Sequence, residues 1–228
     1  MLTAEDQTRI AAAVEAAEAG SSGEIVCVVA GEVSTYREVP LAAAAIVALA
    51  LPPLLLALGL SPLAAASRAG LWIAAERSAL ASEVGLILAL YAGVQTVLFI
   101  AAFLVAEIPA VRRALTPRGL KQRRVARLAQ QQFAAIGDRA AGSQTGVLIF
   151  VAPVDRVVQV LADQGIHDKA GETPWRQAAD AVGRAMKAGH DPTSGIVEAI
   201  DICGAALRAH FPAEGPHQAV FQARPLEI

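Results

Sequence analysis

A pair of charge-free apolar stretches restricts what this chain can fold into more than any other feature. Residues 41–60 read LAAAAIVALALPPLLLALGL, and residues 84–105 read VGLILALYAGVQTVLFIAAFLV. Each matches the roughly 20 residues a helix needs to cross a hydrocarbon core of about 30 Å. Pro52 and Pro53 in the first are compatible with a kinked membrane helix. Tyr91, Gln95 and Thr96 are the notable polar groups of the second. A pair of buried core helices is the alternative, but runs this long and charge-free suit lipid better than the interior of a small domain.

The 228 residues allow one or two domains, and the apolar excess, mostly Ala and Leu, is concentrated in the two spans. The net charge of −2 predicts no nucleic-acid partner. Cys27 and Cys203 lie in apolar contexts without the spacing of a metal or redox motif, so they read as buried, reduced thiols. The first residues, MLTAEDQTRI, are acidic and polar, unlike a cleavable signal peptide.

Thr3 to Ala19 reads as a helix capped by Thr3, with Asp6 three residues on in the manner of a capping box. Ile10, Val14 and Ala17 form its apolar stripe, and Gly20 to Gly23 stop it. Glu24 to Ala30, EIVCVVA, is apolar on both faces, as a central strand covered from both sides would be. One helix and one strand cannot close a core. The first part of the domain must therefore be completed by residues beyond the apolar pair, with both parts on one side of the bilayer.

Charge indicates which side. Arg112, Arg113, Arg118, Lys121, Arg123, Arg124 and Arg127 follow the second span, whereas Arg68 and Arg77 between the spans are balanced by Glu76 and Glu83. The positive-inside rule then makes the N- and C-terminal parts cytoplasmic and the connecting loop external, in the cell (inner) membrane. Leu71-Trp72-Ile73 in that loop reads either as an interfacial anchor or as a surface segment packed on the spans.

Arg118 to Ile136 predicts a helix, with Val125, Leu128, Phe133 and Ile136 on one side and a basic face of Arg123, Arg124 and Arg127 opposite. Beside a membrane such a face attracts anionic lipid; the plainer reading is that it sets topology and solvates a helix. Residues 137–144 form a turn, Gly146 to Ala152 a second apolar strand, and Arg156 to Asp163 a third, paired antiparallel and lying toward an edge. Gln164 to Glu172 reads as a polar loop. Thr173 caps the next helix with Pro174 at its first position, and Gly189 ends it. Thr193 or Ser194 begins the last helix, which Pro212 stops.

The expected fold is α/β: a three-layer-like sandwich, a small mixed sheet flanked by helices, interrupted by a two-helix transmembrane hairpin. Its divisions are the first part of the α/β domain at 1–39, the hairpin at 40–110, the second part at 111–212, and a loose tail at 213–228. Ala42 to Ala45 and Gly93 would let the hairpin helices pack closely or oligomerise.

SSGEIVCVV (21–29), TGVLIFVAPVDRVVQVLADQGI (145–166), the following helix with Trp175, and GHDPTSGIVEAIDICGAAL (189–207) together resemble the TPM domain family. That family is named from a plant thylakoid lumen protein, a photosystem II repair protein and a nematode receptor modulator. The likeness covers most of the chain outside residues 40–110 and rests on the order of the pieces. It is similar to a bacterial membrane-protein subgroup whose domain is interrupted by a membrane hairpin. The resemblance implies the α/β domain and, from some plant members and the family at large, acid phosphatase activity and calcium binding.

A phosphatase needs positive charge or a metal to stabilise phosphoryl oxygens. The candidates at the strand ends are Glu24, Arg156, Asp163, His167 and Asp168. Asp163 and Asp168, around Gly165, could hold calcium or magnesium through oxygen ligands, with His167 as a base. Alternatively these are solvated loop residues, and Arg156 pairs with Glu24 or Asp155. No P-loop, HExxH, GxSxG or CxxC signature is present. Two functions follow. One is an interaction or regulatory module acting at the cytoplasmic face on another membrane protein complex. The other is a divalent-cation-dependent phosphatase at the membrane surface.

Overall fold

The structure is a computed structural model. It describes residues 2–31, 33–58, 80–139, 146–189, 191–213 and 225–227, with the side chains of 80–84, 86, 87 and 137–139 set aside. The chain divides into two compact units: Met1–Ser34 with Arg118–Ile228, and Thr35–Pro117. Eight helices and four strands are present among the described residues.

The first unit is built on a mixed sheet. β1 (Glu24–Val29) pairs in parallel with β2 (Gly146–Ala152), Glu24 opposite Gly146 and Val29 opposite Val151. β3 (Val157–Ala162) turns back antiparallel to β2, Ala152 opposite Val157 and Val147 opposite Ala162. All of β1 is buried and all of β3 is half-buried, which follows from one being internal and the other lying at the edge. A fourth strand, β4 (Leu226–Glu227), lies parallel to β1 beside Val28 and Val29, giving the order β3-β2-β1-β4. Leu226 and Glu227, within the tail expected to be loose, thus pair along the other edge. Glu227 also accepts hydrogen bonds from the Leu2 amide (3.1 Å) and the Gln7 amide group (3.2 Å).

Alternate residues of β1 and β2 feed two cores. Ile25, Cys27, Val29, Val147, Ile149 and Val151 point to one face, where they meet Ile166 and three longer helices. These are α1 (Ala4–Glu18), α7 (Thr173–Ala188) and α8 (Pro192–His210). Val26, Val28, Leu148 and Phe150 point to the other face and meet Val125 and Ala129 of α5 (Arg118–Arg139). Strands apolar on both sides are what a sheet between two helical layers requires. Leu128, Phe133 and Ile136 pack against the same core, as their helical spacing predicts.

α1 begins in a full capping box: Thr3 Oγ1 accepts from the Asp6 amide (3.1 Å), and Asp6 Oδ2 accepts from the Thr3 amide (2.9 Å). Three local expectations are corrected. Residues 164–172 are not an open loop, because Gln164–Ala170 forms α6, anchored by the buried Ile166. Thr173 is already helical: Glu172 occupies the cap position of α7, with Pro174 in the first turn and no side-chain cap bond. α8 starts at Pro192 and is capped by Asp191, whose side chain accepts from the Thr193 amide (3.1 Å), so neither Thr193 nor Ser194 is the cap.

The second unit consists of α2 (Glu38–Ala57), α3 (Leu80–Glu107) and α4 (Pro109–Leu115). The expected spans fall within α2 and α3, except that Leu58 is the residue that ends α2 and residues 59 and 60 lie outside the described residues, as does Leu71-Trp72-Ile73. α2 continues through Pro52 and Pro53, and its buried residues Pro40, Ala44, Ala48 and Pro52 recur every four residues. It packs along α3. Of the small residues expected to bring helices together, Ala44 is buried, while Ala42 and Gly93 face outward. Two windows, Glu38–Ala57 and Leu88–Glu107, have mean hydropathies of 2.3 and 2.2 and are long and apolar enough to cross a membrane.

Candidate functional site

The register of the sheet sorts the candidate residues into two groups. Glu24 opens β1 opposite Gly146, and Asp163 follows the end of β3, so these two lie at the same end. Arg156 precedes β3 and lies at the other end, in the turn after β2. Six strand residues separate the two ends, about 20 Å at the usual rise. Pairing of Arg156 with Glu24 is therefore ruled out by topology. Arg156 itself has a φ of +54°, and its amide donates to the Pro153 carbonyl (3.2 Å), so its backbone shapes the tight β2–β3 turn.

Asp163 acts on the backbone. Its Oδ2 accepts from the Gly146 amide at 2.7 Å, and its own amide donates to the Gly146 carbonyl at 3.1 Å. Its carbonyl accepts from the amides of Ile166 (3.0 Å) and His167 (2.9 Å), launching α6. Asp168 lies five residues further along that helix, about 140° around it, and so on a different side. It is exposed, and its Oδ1 accepts from Gln164 Nε2 at 2.8 Å. His167 is exposed as well. The two carboxylates expected to share a cation are thus each engaged separately. Among the described residues no three His, Cys, Asp or Glu side chains come together as a metal site.

Glu24 is buried, and its neighbourhood contains a residue that sequence reasoning passed over. Glu18, also buried, accepts the Ile25 amide on its Oε1 at 2.8 Å. Ser21, fully buried, accepts the Gly23 amide at 2.9 Å. The available signal was an acid in the last turn of a helix, where the macrodipole disfavours it unless it has a separate task. Gly23 has no room for a side chain: a Cβ there would lie 2.7 Å from Leu207 Cδ2. Close by in the chain order of α8, Phe211 carries Lys169 Nζ 4.6 Å above its ring. This end of the sheet is a closed, hydrogen-bonded seam.

The basic face of α5 is split. Arg123 and Arg127 are exposed, on the side away from Val125 and Ala129. Arg124 is half-buried and its guanidinium donates to Ser34 Oγ. Cys27 and Cys203 both belong to the first core, and burial pushes both thiols up to about 12.

These features define an α/β unit whose sheet is enclosed by helices and whose chain is interrupted by two apolar helices. No family model matches the chain, and no curated protein matches it. Its fold is similar to the NMR structure of the BA42 protein from the psychrophilic bacterium Bizionia argentinensis. The TM-score is 0.54 at 17% identity, over 100% of this chain and 95% of the other. At that identity the likeness bears on the fold alone.

Proposed function

We propose that this chain is a TPM-like domain protein anchored in the cell (inner) membrane by α2 and α3. In this reading it works as an interaction or regulatory module at the cytoplasmic face, on another membrane protein complex. The observation that carries the anchoring is the distribution of exposed apolar side chains. Ile46, Leu49, Leu54, Leu88, Val97 and Leu104 are 55–66% exposed, and among the described residues every large exposed hydrophobic except Val154 and Leu226 lies in the unit Thr35–Pro117. Within Leu88–Glu107 Ala106 alone is buried, and every other residue is exposed or half-buried. A helix that is apolar all round and covered on one side only calls for lipid, since large contiguous apolar surface is rare in water. Orientation follows from seven basic residues after the second span against balanced charge between the spans.

The module reading rests on the engagement of Asp163 and Asp168 within the fold, which gives those carboxylates structural work. The test has two stages. Alkaline carbonate should leave the protein in the membrane pellet. Single cysteines introduced across 61–83 should then react with an impermeant maleimide from outside the cell. Release by carbonate sinks the anchoring, and labelling only after permeabilisation sinks the orientation. Crosslinking in intact membranes should retain a membrane neighbour in mild detergent, and recovery of the chain alone would count against a module.

A further inference from the structure

We propose that the outer edge of β1 is a strand-addition site for a partner protein, held closed by the chain's own residues Pro225, Leu226 and Glu227. Its ligand is an extended segment in which a proline is followed by an apolar residue and a carboxylate. The inference rests on the module reading and names the surface and the class of partner segment. It makes no use of α2 or α3.

Parallel pairing fixes which backbone groups of β1 face outward. The Ala30 amide donates to the Val151 carbonyl of β2 at 2.8 Å. Backbone groups alternate along a strand, so Val26 and Val28 also turn theirs to β2. Ile25, Cys27 and Val29 then present theirs to the opposite edge. β1 is buried throughout, so outward groups need partners. Two different devices meet that need. At Ile25 a side chain stands in for a strand, as Glu18 Oε1 accepts the amide at 2.8 Å. At Val28 and Val29 the partner is the two-residue strand β4, from a distant part of the sequence.

β4 is lightly held. Leu226 is 48% exposed, Glu227 is exposed, and Pro225 just before them is buried. The Glu227 carboxylate accepts from the Leu2 amide and from Gln7 Nε2, both in exposed surroundings. So short a strand, joined by solvent-exposed bonds, belongs to the part of a fold that opens first. The occupied seat also displays what it accepts. A proline enters at the start of the strand, where its missing N–H is tolerated. An apolar side chain follows beside Val28, and a carboxylate then meets Leu2 and Gln7. A partner segment with this chemistry competes for the same bonds, taking affinity from the main chain and selectivity from alternate side chains.

The test uses the full chain and a fluorescent peptide of sequence QARPLEI, residues 222–228. A double variant, Leu226→Gly with Glu227→Gly, vacates the seat. Cys27 and Cys203 are buried, so their failure to react with maleimide reports that the domain stays folded. Should the double variant lose that protection, Glu227→Ala, which removes only the bonds to Leu2 and Gln7, replaces it with the same direction expected.

A seat closed nine times in ten weakens binding about tenfold, so the peptide should bind the double variant about tenfold more tightly than the native chain. A peptide with Ala in place of its Glu should bind roughly tenfold less tightly. Amide exchange at Val29 should slow when peptide is added to the variant. Equal affinity for native chain and variant, equal affinity of the two peptides, or unchanged exchange at Val29 overturns the proposal. A native mass of two chains by light scattering that falls to one in the variant makes the occupant a second copy, and the partner reading falls. Crosslinking in intact membranes separates this inference from the module reading. The double variant should capture severalfold more of the neighbour than the native chain. Equal capture overturns the edge site alone, whereas no neighbour from either chain fails the module reading, and peptide affinity still decides the edge.

Discussion

Asp163 and Gly146 are joined by two hydrogen bonds, one from amide to carboxylate (2.7 Å) and one from amide to carbonyl (3.1 Å). This clamp fastens the end of β3 to the start of β2. It predicts that Asp163→Ala destabilises the protein by about 1.5–3 kcal/mol, the range for a hydrogen bond to a charged group. Asp168→Ala, at an exposed position, should stay within about 0.5 kcal/mol. Thermal unfolding of both variants checks this. Equal and small effects would remove the clamp from the account.

Gly195 and Gly204 set how closely α8 approaches its neighbours. A Cβ on Gly204 would lie 2.6 Å from Ala17 Cβ and 2.9 Å from Ala17 Cα, and one on Gly195 would lie 2.9 Å from Val182 Cα. Backbone stands in the way at both sites, so Gly204→Ala and Gly195→Ala should each cost about 1–3 kcal/mol by overpacking. Chemical denaturation measures it. A neutral Gly204→Ala would mean that α1 slides freely over α8.

Burial raises the Cys27 and Cys203 thiols from an ordinary 9.0 to about 12. A raised thiol pKa keeps the neutral form, so at pH 9 roughly one thiol in a thousand is ionised where an ordinary one would be half ionised. Iodoacetamide should therefore modify neither cysteine between pH 7 and 9 until the protein unfolds, as intact mass would report. The same shift favours the fold below pH 9 and weakens it as pH rises from there toward 12.

The hydrogen bonds from Thr3 to the Asp6 carboxylate hold its pKa below the ordinary 3.8, with smaller help from Thr193 and Arg9. A lowered carboxylate pKa supports the fold above 3.8, and that support disappears as pH falls through the lowered value. Thr3→Ala should return Asp6 toward its ordinary titration, followed by its carboxyl NMR shift. An unchanged titration would assign the effect elsewhere.

Several parts of this architecture are legible in local sequence, because they depend on nearest neighbours. β1 after Glu24 and β2 throughout are apolar, and the stripe Ile10, Val14, Ala17 announces α1. Other parts depend on partners far away in the chain. α6 has Ile166 as its one buried residue, so no helical period emerges. β4 is two residues long and exists only through pairing with Val28 and Val29. The candidate site was read by residue type, and type alone could not reveal that the Asp163 carboxylate faces an amide 17 positions earlier. Nor could it show that the β2–β3 turn carries Arg156 to the end opposite Glu24.

The parallel register between Glu24 and Gly146 spans 122 positions, with both apolar helices encoded between them. At about 5–20 residues per second of synthesis, β1 waits roughly 6–24 s for the strand it pairs with. Throughout that interval its two apolar faces have no sheet to join. The ribosome therefore delivers both apolar helices before the domain can close, so that a closed domain implies that α2 and α3 have already been made. A message truncated after α3 would leave two apolar helices bearing only an open strand and α1, a natural substrate for proteolysis.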